Sequence, residues 1–178
     1  MTKDELSILL QSRLSRKVKS ELAVTLARQK EMPALLIDMC FQKEAAPAFR
    51  AAWLLEAVFF AGPAMFSASR QHFIAMYPAQ ENNSCRRHFT KIMIALTSGD
   101  DIKQVSREQA ALIIEATFSW LSDASVPVAV KANCMDILNN LKEYGDWIKD
   151  ELEAQIIFLL RNGSAALQSR GRKFINKK

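Results

Sequence analysis

The sequence predicts an all-helical fold built from pairs of helices. Only five glycines and five prolines occur among its 178 residues, and Ala, Leu, Met, Glu, Lys and Arg are abundant, whereas runs of β-branched residues are scarce. Hydrophobic residues make up 49% of the chain, which is enough to bury a sizeable core. The chain is therefore expected to form one folded domain over residues 1–178 rather than a disordered segment.

A basic residue stands at the start of an apolar segment four times, which indicates an internal repeat. These residues, called the repeat cations below, are Arg50, Arg87, Lys131 and Arg170, at intervals of 37, 44 and 39 residues. Small or apolar residues follow the first three at helical spacing and continue one helix face. A period near 40 residues is typical of stacked two-helix units, because one such unit cannot bury its apolar face alone.

Four helix pairs are predicted, and the first helix of each is called A and the second B. Their ranges are 31–42 with 46–61, 66–78 with 82–97, 106–122 with 127–143, and 146–160 with 163–177. Pro33, Pro47 and Pro127 suit a first helical turn, and Ser106 with Gln109 predicts a capping box.

The remaining segments are predicted to be caps and linkers. Residues 3–29 are expected to form one or two helices that cap the N-terminal end of the array. The segment 97–106, TSGDDIKQVS, is the longest linker. The pairs thus occupy 31–61, 66–97, 106–143 and 146–177.

An apolar residue followed by a basic one near the start of the second helix, as in Phe49-Arg50 and Val130-Lys131, resembles the HEAT-repeat family over about residues 31–177. The resemblance implies a right-handed α-α superhelix, a HEAT/armadillo-like solenoid whose B helices line the concave side. The chain also looks like a group of small bacterial HEAT-like proteins of unassigned function. Some of those carry an adenylosuccinate lyase label.

Charge differs between the two sets of predicted helices. Basic residues exceed acidic ones by seven across the B helices, and acidic residues exceed basic ones by five across the A helices. The concave surface is therefore expected to attract an acidic protein segment, a phosphate-rich ligand or nucleic acid. The alternative is a mildly basic, solvated face with no partner. The candidate binding residues are Arg86, Arg87, Lys91, Lys142, Arg172 and Lys173.

The repeat cations are interpreted as structural rather than catalytic positions. In HEAT-like repeats, a basic residue at this position commonly pairs with an acid or a main-chain carbonyl near the turn between A and B. Long basic side chains usually lie along packed surfaces with only their charged ends paired. The acids upstream that could pair with the first three are Glu44, Glu81 and Asp123.

Catalytic assignments find little support in the residues. HEAT-like alkylpurine DNA glycosylases combine a basic concave surface with a tryptophan and a catalytic aspartate, and Asp136 is the one B-helix aspartate for such a role. Adenylosuccinate lyases use a mobile loop resembling G-S-S-x-M-P-x-K-x-N. The segment NGSAALQSRGRKFIN shares only Gly163 and Ser164 with that loop, so lyase activity is not expected.

No metal site, cofactor or catalytic cluster is predicted. His72 and His88 are the only histidines, and Cys85-x-x-His88 provides one ligand pair where a structural zinc site needs four ligands. The three cysteines, Cys40, Cys85 and Cys134, are expected to be buried, reduced thiols. The aromatic residues expected to pack in the core are Trp53, Phe59, Phe60, Phe66, Phe73 and Phe118.

These observations predict a non-catalytic scaffold or adaptor that binds a protein or another anionic partner on a basic concave surface. The alternative is a nucleic-acid-binding protein related to the HEAT-like alkylpurine DNA glycosylases. The first residues contain no continuous apolar stretch followed by a cleavage site, and apolar runs are too short to span a bilayer. A cytoplasmic location without membrane association is therefore expected.

Overall fold

A computed structural model describes residues 1–175, and every regular element within them is a helix. The prediction of an all-helical protein is confirmed for this part. Residues 176–178, which include the end of the predicted 163–177 helix and of the 1–178 domain, lie outside the described residues. The chain forms two compact units, Met1–Ile92 and a second that begins at Met93. They are called the first and the second unit below.

The first unit begins with two cap helices and continues with two helix pairs. Its helices are α1 (Lys3–Gln11), α2 (Arg16–Leu26), α3 (Met32–Met39), α4 (Ala45–Ala61), α5 (Pro63–Phe66), α6 (Arg70–Met76) and α7 (Asn83–Leu96), the last of which crosses the unit boundary. The continuous helix predicted over 66–78 is wrong, because a 3-10 turn at Ser67–Ser69 separates α5 from α6. The Ser67 hydroxyl donates to the Ala64 carbonyl at 2.8 Å, a local bond that competes with regular helix geometry.

The second unit contains two further helix pairs. Its helices are α8 (Arg107–Ser122), α9 (Val128–Asn140), α10 (Asp146–Asn162) and α11 (Ala165–Ile175). The Ser106 hydroxyl accepts from the Gln109 amide at 3.2 Å and the Gln109 side chain accepts from the Ser106 amide at 3.0 Å, which confirms the predicted capping box. The helix predicted over 127–143 ends earlier, at Asn140. Lys142 consequently lies in a 3-10 turn, Lys142–Tyr144, and not in a B helix.

Within the first unit, helices of the same type are neighbours. The A helix α3 packs against α6, and α3 and the two cap helices pack against the B helix α4. Glu56 on α4 contacts His88 and Lys91 on the next B helix, α7. Buried aromatic rings fill the space between these helices, with ring centroids 4.9 to 5.6 Å apart along Phe59, Phe66, Phe73 and Phe89.

The second unit repeats this arrangement. The B helix α9 packs against α8, α10 and α11. The two A helices, α8 and α10, approach each other where the rings of Phe118 and Trp147 lie 5.7 Å apart. At the end of α9, the Asn140 amide donates to the Ser98 hydroxyl at 2.9 Å, beside the last turn of α7. A helices thus adjoin A helices, and B helices adjoin B helices, within each unit.

The cysteines occupy packed positions, as predicted. Cys40, Cys85 and Cys134 are buried thiols. Burial raises the pKa of the Cys85 thiol to about 12, and burial followed by repulsion from Cys85 and Asp38 raises that of Cys40 well above its usual range. Both thiols therefore stay protonated at neutral pH and behave as small apolar groups.

Across residues 1–175, no single helix has the length and apolar character needed to cross a membrane. The two segments Ala45–Ala61 and Pro63–Met76 are together long and apolar enough, but the chain bends by 119° between them. Most apolar side chains of α4 are buried within the first unit.

Candidate functional site

A groove of about 820 Å³ lies between α9, α10 and α11 of the second unit. Its walls carry four basic side chains, and its floor is apolar, formed by Leu152, Ile156 and Phe174. The basic residues are Lys142, Lys149, Arg170 and Lys173. Three of these were singled out in the sequence, Lys142 and Lys173 as binding residues and Arg170 as a repeat cation. We call this feature the basic groove.

Arg170 and Asp136, which both line the basic groove, form an ion pair. The guanidinium of Arg170 also faces the ring of Phe174, with its central carbon 5.9 Å from the ring centroid. Both charged side chains are more than half buried, because Arg170 is 35% exposed and Asp136 is 24% exposed. The buried Nε of Arg170 has no hydrogen-bond partner among the described residues. The pair is therefore a structural element of the groove, and Asp136 is engaged by a cation.

The other charges of the basic groove are unbalanced. Lys142, Lys149 and Lys173 are exposed, and none of them forms an ion pair with a described residue. Glu153 is the single remaining acidic side chain on the wall. Since Arg170 and Asp136 neutralise each other, the surplus charge on the walls is positive, and it lies beside the apolar side chains of the floor. Such a site favours an anion that carries apolar groups.

Lys149 lines the basic groove but was not among the predicted binding residues. Those residues were chosen from the B helices, and Lys149 belongs to the A helix α10. It precedes the buried Leu152 by three positions and so lies on the same helix face as the floor. The spacing between Lys149 and Leu152 was the signal in the sequence that could have identified Lys149 as a groove residue. Membership of an A or a B helix was a poor guide to binding residues, because the A helix α10 also borders the groove.

Two of the candidate binding residues are engaged inside the first unit. Arg86 donates from Nε to the Gln80 carbonyl at 2.7 Å and from a terminal nitrogen to the Asn83 side chain at 3.1 Å. Lys91 donates to Glu56 at 2.8 Å. These contacts make both residues poor choices for a charge-reversal test of binding.

The other two candidates are exposed at the surface. The side chains of Arg87, on α7 of the first unit, and Arg172, on α11 of the second, show no hydrogen bond or ion pair to a described residue. Arg172 does not line the basic groove. Of the six candidates, the structure therefore brings together Lys142 and Lys173 in one groove.

The repeat cations occupy four different surroundings. Arg50 donates to the main-chain carbonyls of Leu10 and Gln11 rather than to Glu44, so the acid suggested for it is wrong. Arg87 is exposed, Lys131 is buried, and Arg170 pairs with an acid on α9.

Asp123, the acid suggested for Lys131, accepts from the Ser125 amide at 2.8 Å. A shared position in the repeat does not produce a shared contact, because each partner depends on the neighbouring helix.

Glu56, His88 and Lys91 form a polar cluster in the first unit, in which Glu56 and His88 are mostly buried. The His88 Nδ1 atom contacts one carboxylate oxygen of Glu56, and Lys91 contacts the other. Burial raises the pKa of Glu56, but the hydrogen bonds from His88 and Lys91 outweigh it and lower the pKa below 4.5. The cluster joins α4 to α7 and has a structural explanation.

The Cys-x-x-His pair does not form a metal site in the described residues. His88 faces Glu56, whereas the Cys85 thiol lies 3.9 Å from the Cys40 carbonyl. No group of three His, Cys, Asp or Glu side chains in residues 1–175 is arranged to hold a metal ion.

The aromatic residues expected in the core divide into two groups. Phe59, Phe66 and Phe73 are buried, whereas Phe60 is 55% exposed, so its assignment to the core is wrong. Trp53 and Phe118 are partly exposed. Trp53 lines a small surface hollow of the first unit, and Phe118 lines a groove between α8 and α10 of the second.

No family model, curated protein or solved structure matches this chain.

Proposed function

We propose that this protein is a non-catalytic HEAT-like scaffold and that its basic groove binds an acidic segment of a protein partner. The observation that carries the proposal is that Lys142, Lys149 and Lys173 line one groove together with the Arg170–Asp136 pair and three apolar side chains. The architecture in the proposal is the right-handed superhelix expected from the HEAT resemblance. Its support is the adjacency of like helices within each unit, α8 with α10 and α9 with α11.

The chemistry of the groove favours a peptide over a simple inorganic anion. Lysines present flexible point charges and do not fix a phosphate in a two-pronged geometry as arginines do. Leu152, Ile156 and Phe174 add apolar surface that a phosphate would leave uncovered. A segment in which acidic and apolar side chains alternate would satisfy the lysines and cover the floor together.

The test is the binding of a short dye-labelled peptide in which Glu alternates with Leu, followed by fluorescence anisotropy. The double variant Lys142→Glu/Lys173→Glu should weaken binding by about tenfold or more, because each reversal places a negative charge beside the peptide's carboxylates. Both positions are exposed, so the fold should be retained.

The matched control is Lys103→Glu/Arg161→Glu, which changes the net charge of the same unit equally at exposed positions outside the groove. This control should bind nearly as well as the unaltered protein. Equal losses in the two double variants would mean that only net charge matters, and failure of the unaltered protein to bind the peptide would remove the proposal.

Nucleic-acid binding is the second candidate, and a surface of the first unit favours it. The ring of Phe49 stacks against that of Trp53 at 6.4 Å with planes 9° apart, and the Lys19 ammonium lies 4.4 Å from the Trp53 ring centroid. Arg13 and Arg50 line the adjoining hollow of about 280 Å³. Cations beside accessible aromatic rings are typical of surfaces that bind single-stranded nucleic acid.

A salt titration of a labelled single-stranded oligonucleotide tests this candidate. Affinity should fall steeply with salt, because phosphate contacts release counterions. The variant Arg13→Glu/Lys19→Glu should lose the oligonucleotide and keep the acidic peptide. Absence of oligonucleotide binding at low salt would remove this candidate and leave the first untouched.

A further inference from the structure

A second groove of the second unit, of about 490 Å³, lies between α8 and α10 and is largely apolar. We call it the aromatic groove. Three aromatic side chains contribute to its wall, together with two carboxylates, Glu115 and Glu151. The aromatic residues are Phe118, Tyr144 and Trp147.

The aromatic rings are held in place although they are accessible. The side chain of Trp147 is 58% exposed, and its ring is tilted by 31° against that of Phe118 at 5.7 Å. The Tyr144 hydroxyl donates to the Val105 carbonyl at 2.8 Å, which anchors that ring to the preceding linker. All three aromatic side chains therefore line the groove with part of their surface exposed.

The position of Trp147 depends on a glycine. A Cβ atom at Gly145 would stand 2.9 Å from the indole nitrogen of Trp147, closer than atoms normally approach. The absence of a side chain at Gly145 lets the indole lie against the main chain. A Cβ atom at this position would require the indole of Trp147 to shift.

The charge of the aromatic groove is opposite to that of the basic groove. Glu115 projects from α8 without a hydrogen bond or ion pair to a described residue, and Glu151 on α10 accepts from Gln155 at 3.0 Å. Arg107 is the single basic residue on the wall. The two carboxylates outnumber it, so the groove favours cations over anions.

We propose that the aromatic groove binds a small organic cation with an apolar body. Aromatic ring faces attract cations through their negative quadrupole, and carboxylates add charge complementarity. The head of the ligand lies against Trp147 and Phe118 within reach of Glu115 and Glu151, and its apolar body covers Ile114. The volume of the aromatic groove, about 490 Å³, lies within the range of small-molecule pockets. The proposal is independent of the function proposed for the basic groove.

Isothermal titration calorimetry with benzyltrimethylammonium tests the proposal, with benzyl alcohol and phenylacetate as neutral and anionic ligands of similar shape. The cation should bind more tightly than the neutral ligand, and the anion should bind least. Equal binding of the cation and the neutral ligand would overturn the proposal, because the groove would then act as a hydrophobic site alone. Failure of the cation to bind would overturn it as well.

Two variants test the residues. Trp147→Leu should weaken binding of the cation by about tenfold, since it removes the most exposed ring face. Its control is Phe158→Leu, which removes an exposed ring of α10 outside the groove and should have no effect. Similar losses in both would contradict the assignment of Trp147.

The double variant Glu115→Gln/Glu151→Gln tests the carboxylates. It should weaken binding of the cation by about fivefold or more and leave the affinity for benzyl alcohol unchanged. The matched control, Glu108→Gln/Asp150→Asn, neutralises two carboxylates of the same two helices outside the groove. An equal loss in this control would assign the effect to overall charge and overturn the site. All four positions are exposed, so these variants should fold.

Discussion

The guanidinium of Arg50 donates a hydrogen bond of 2.6 Å to the main-chain carbonyl oxygen of Leu10. It also reaches the Gln11 carbonyl at 3.4 Å. Both carbonyls belong to the last turn of α1, where no later residue of the helix can supply a partner. A cation at this end also interacts favourably with the helix dipole. The Arg50 side chain on α4 therefore links this helix to the C-terminal end of α1 through hydrogen bonds.

Replacement of this cation should destabilise the first unit. Arg50→Met keeps an unbranched apolar stem and removes the donors, so unfolding should become easier by about 1.5–3 kcal/mol, the range for hydrogen bonds to charged groups. Urea denaturation measures the change. Arg87→Met is the control, because Arg87 holds the same repeat position but is exposed, and its effect should stay within about 0.5 kcal/mol. Equal effects would show that the contact with α1 contributes nothing.

The Glu56 cluster should make stability depend on pH. The folded pKa of Glu56 lies below its usual 4.5, so the unfolded chain takes up the proton first as the pH falls. The stabilisation from this carboxylate is therefore complete above about pH 4.5 and is lost as the pH falls through the lowered folded pKa.

The variant Glu56→Gln tests this dependence. It should lower the free energy of unfolding by about 1–3 kcal/mol at neutral pH, because His88 and Lys91 lose a charged acceptor. This loss of stability should become smaller in acid. Urea denaturation at several pH values measures both. Glu44→Gln, at an exposed carboxylate, is the control and should show little effect. A cost for Glu56→Gln that stays constant down to pH 3 would contradict the assignment.

Two phenylalanines of the first unit should respond differently to truncation. Phe73 is fully buried between Phe66 and Phe89, so Phe73→Ala should cost about 3–5 kcal/mol through lost burial and a cavity. Phe60 is 55% exposed, and Phe60→Ala should cost about 1 kcal/mol or less. Thermal unfolding followed by circular dichroism compares the two. Similar losses would mean that Phe60 is also a core residue.

The approach of α11 to α10 should be sensitive to volume at Gly171. A Cβ atom there would lie 2.9 Å from the Ile156 Cγ2 atom and 3.4 Å from a methyl carbon of Leu160. Gly171→Leu should therefore destabilise the second unit by about 1–3 kcal/mol through overpacking. Ala166→Leu, at an exposed position of the same helix, should change the free energy of unfolding by less than about 0.5 kcal/mol. Urea denaturation checks both, and a stable Gly171→Leu variant would show that the helices can separate without cost.

Local signals predicted most helices well. The Ser106–Gln109 capping box and the predicted segment 46–61, observed as α4 (Ala45–Ala61), depend on contacts within a few residues of the same helix. The errors lie where a local alternative interrupts the pattern. The Ser67 hydroxyl bond accompanies a break in the predicted 66–78 helix, and α9 ends at Asn140, whose amide binds Ser98 across the unit.

The sequence was sufficient for the helical class and for the periodic placement of basic residues, because both follow from spacing along the chain. Tertiary packing decided which of those residues meet a partner. Arg50 reaches Leu10 forty positions away instead of the nearby Glu44, and Lys149 joins Lys142 and Lys173 across two helices. Such contacts depend on the distance between helix surfaces, which is set by the side chains buried between them and not by the order of residues along one helix.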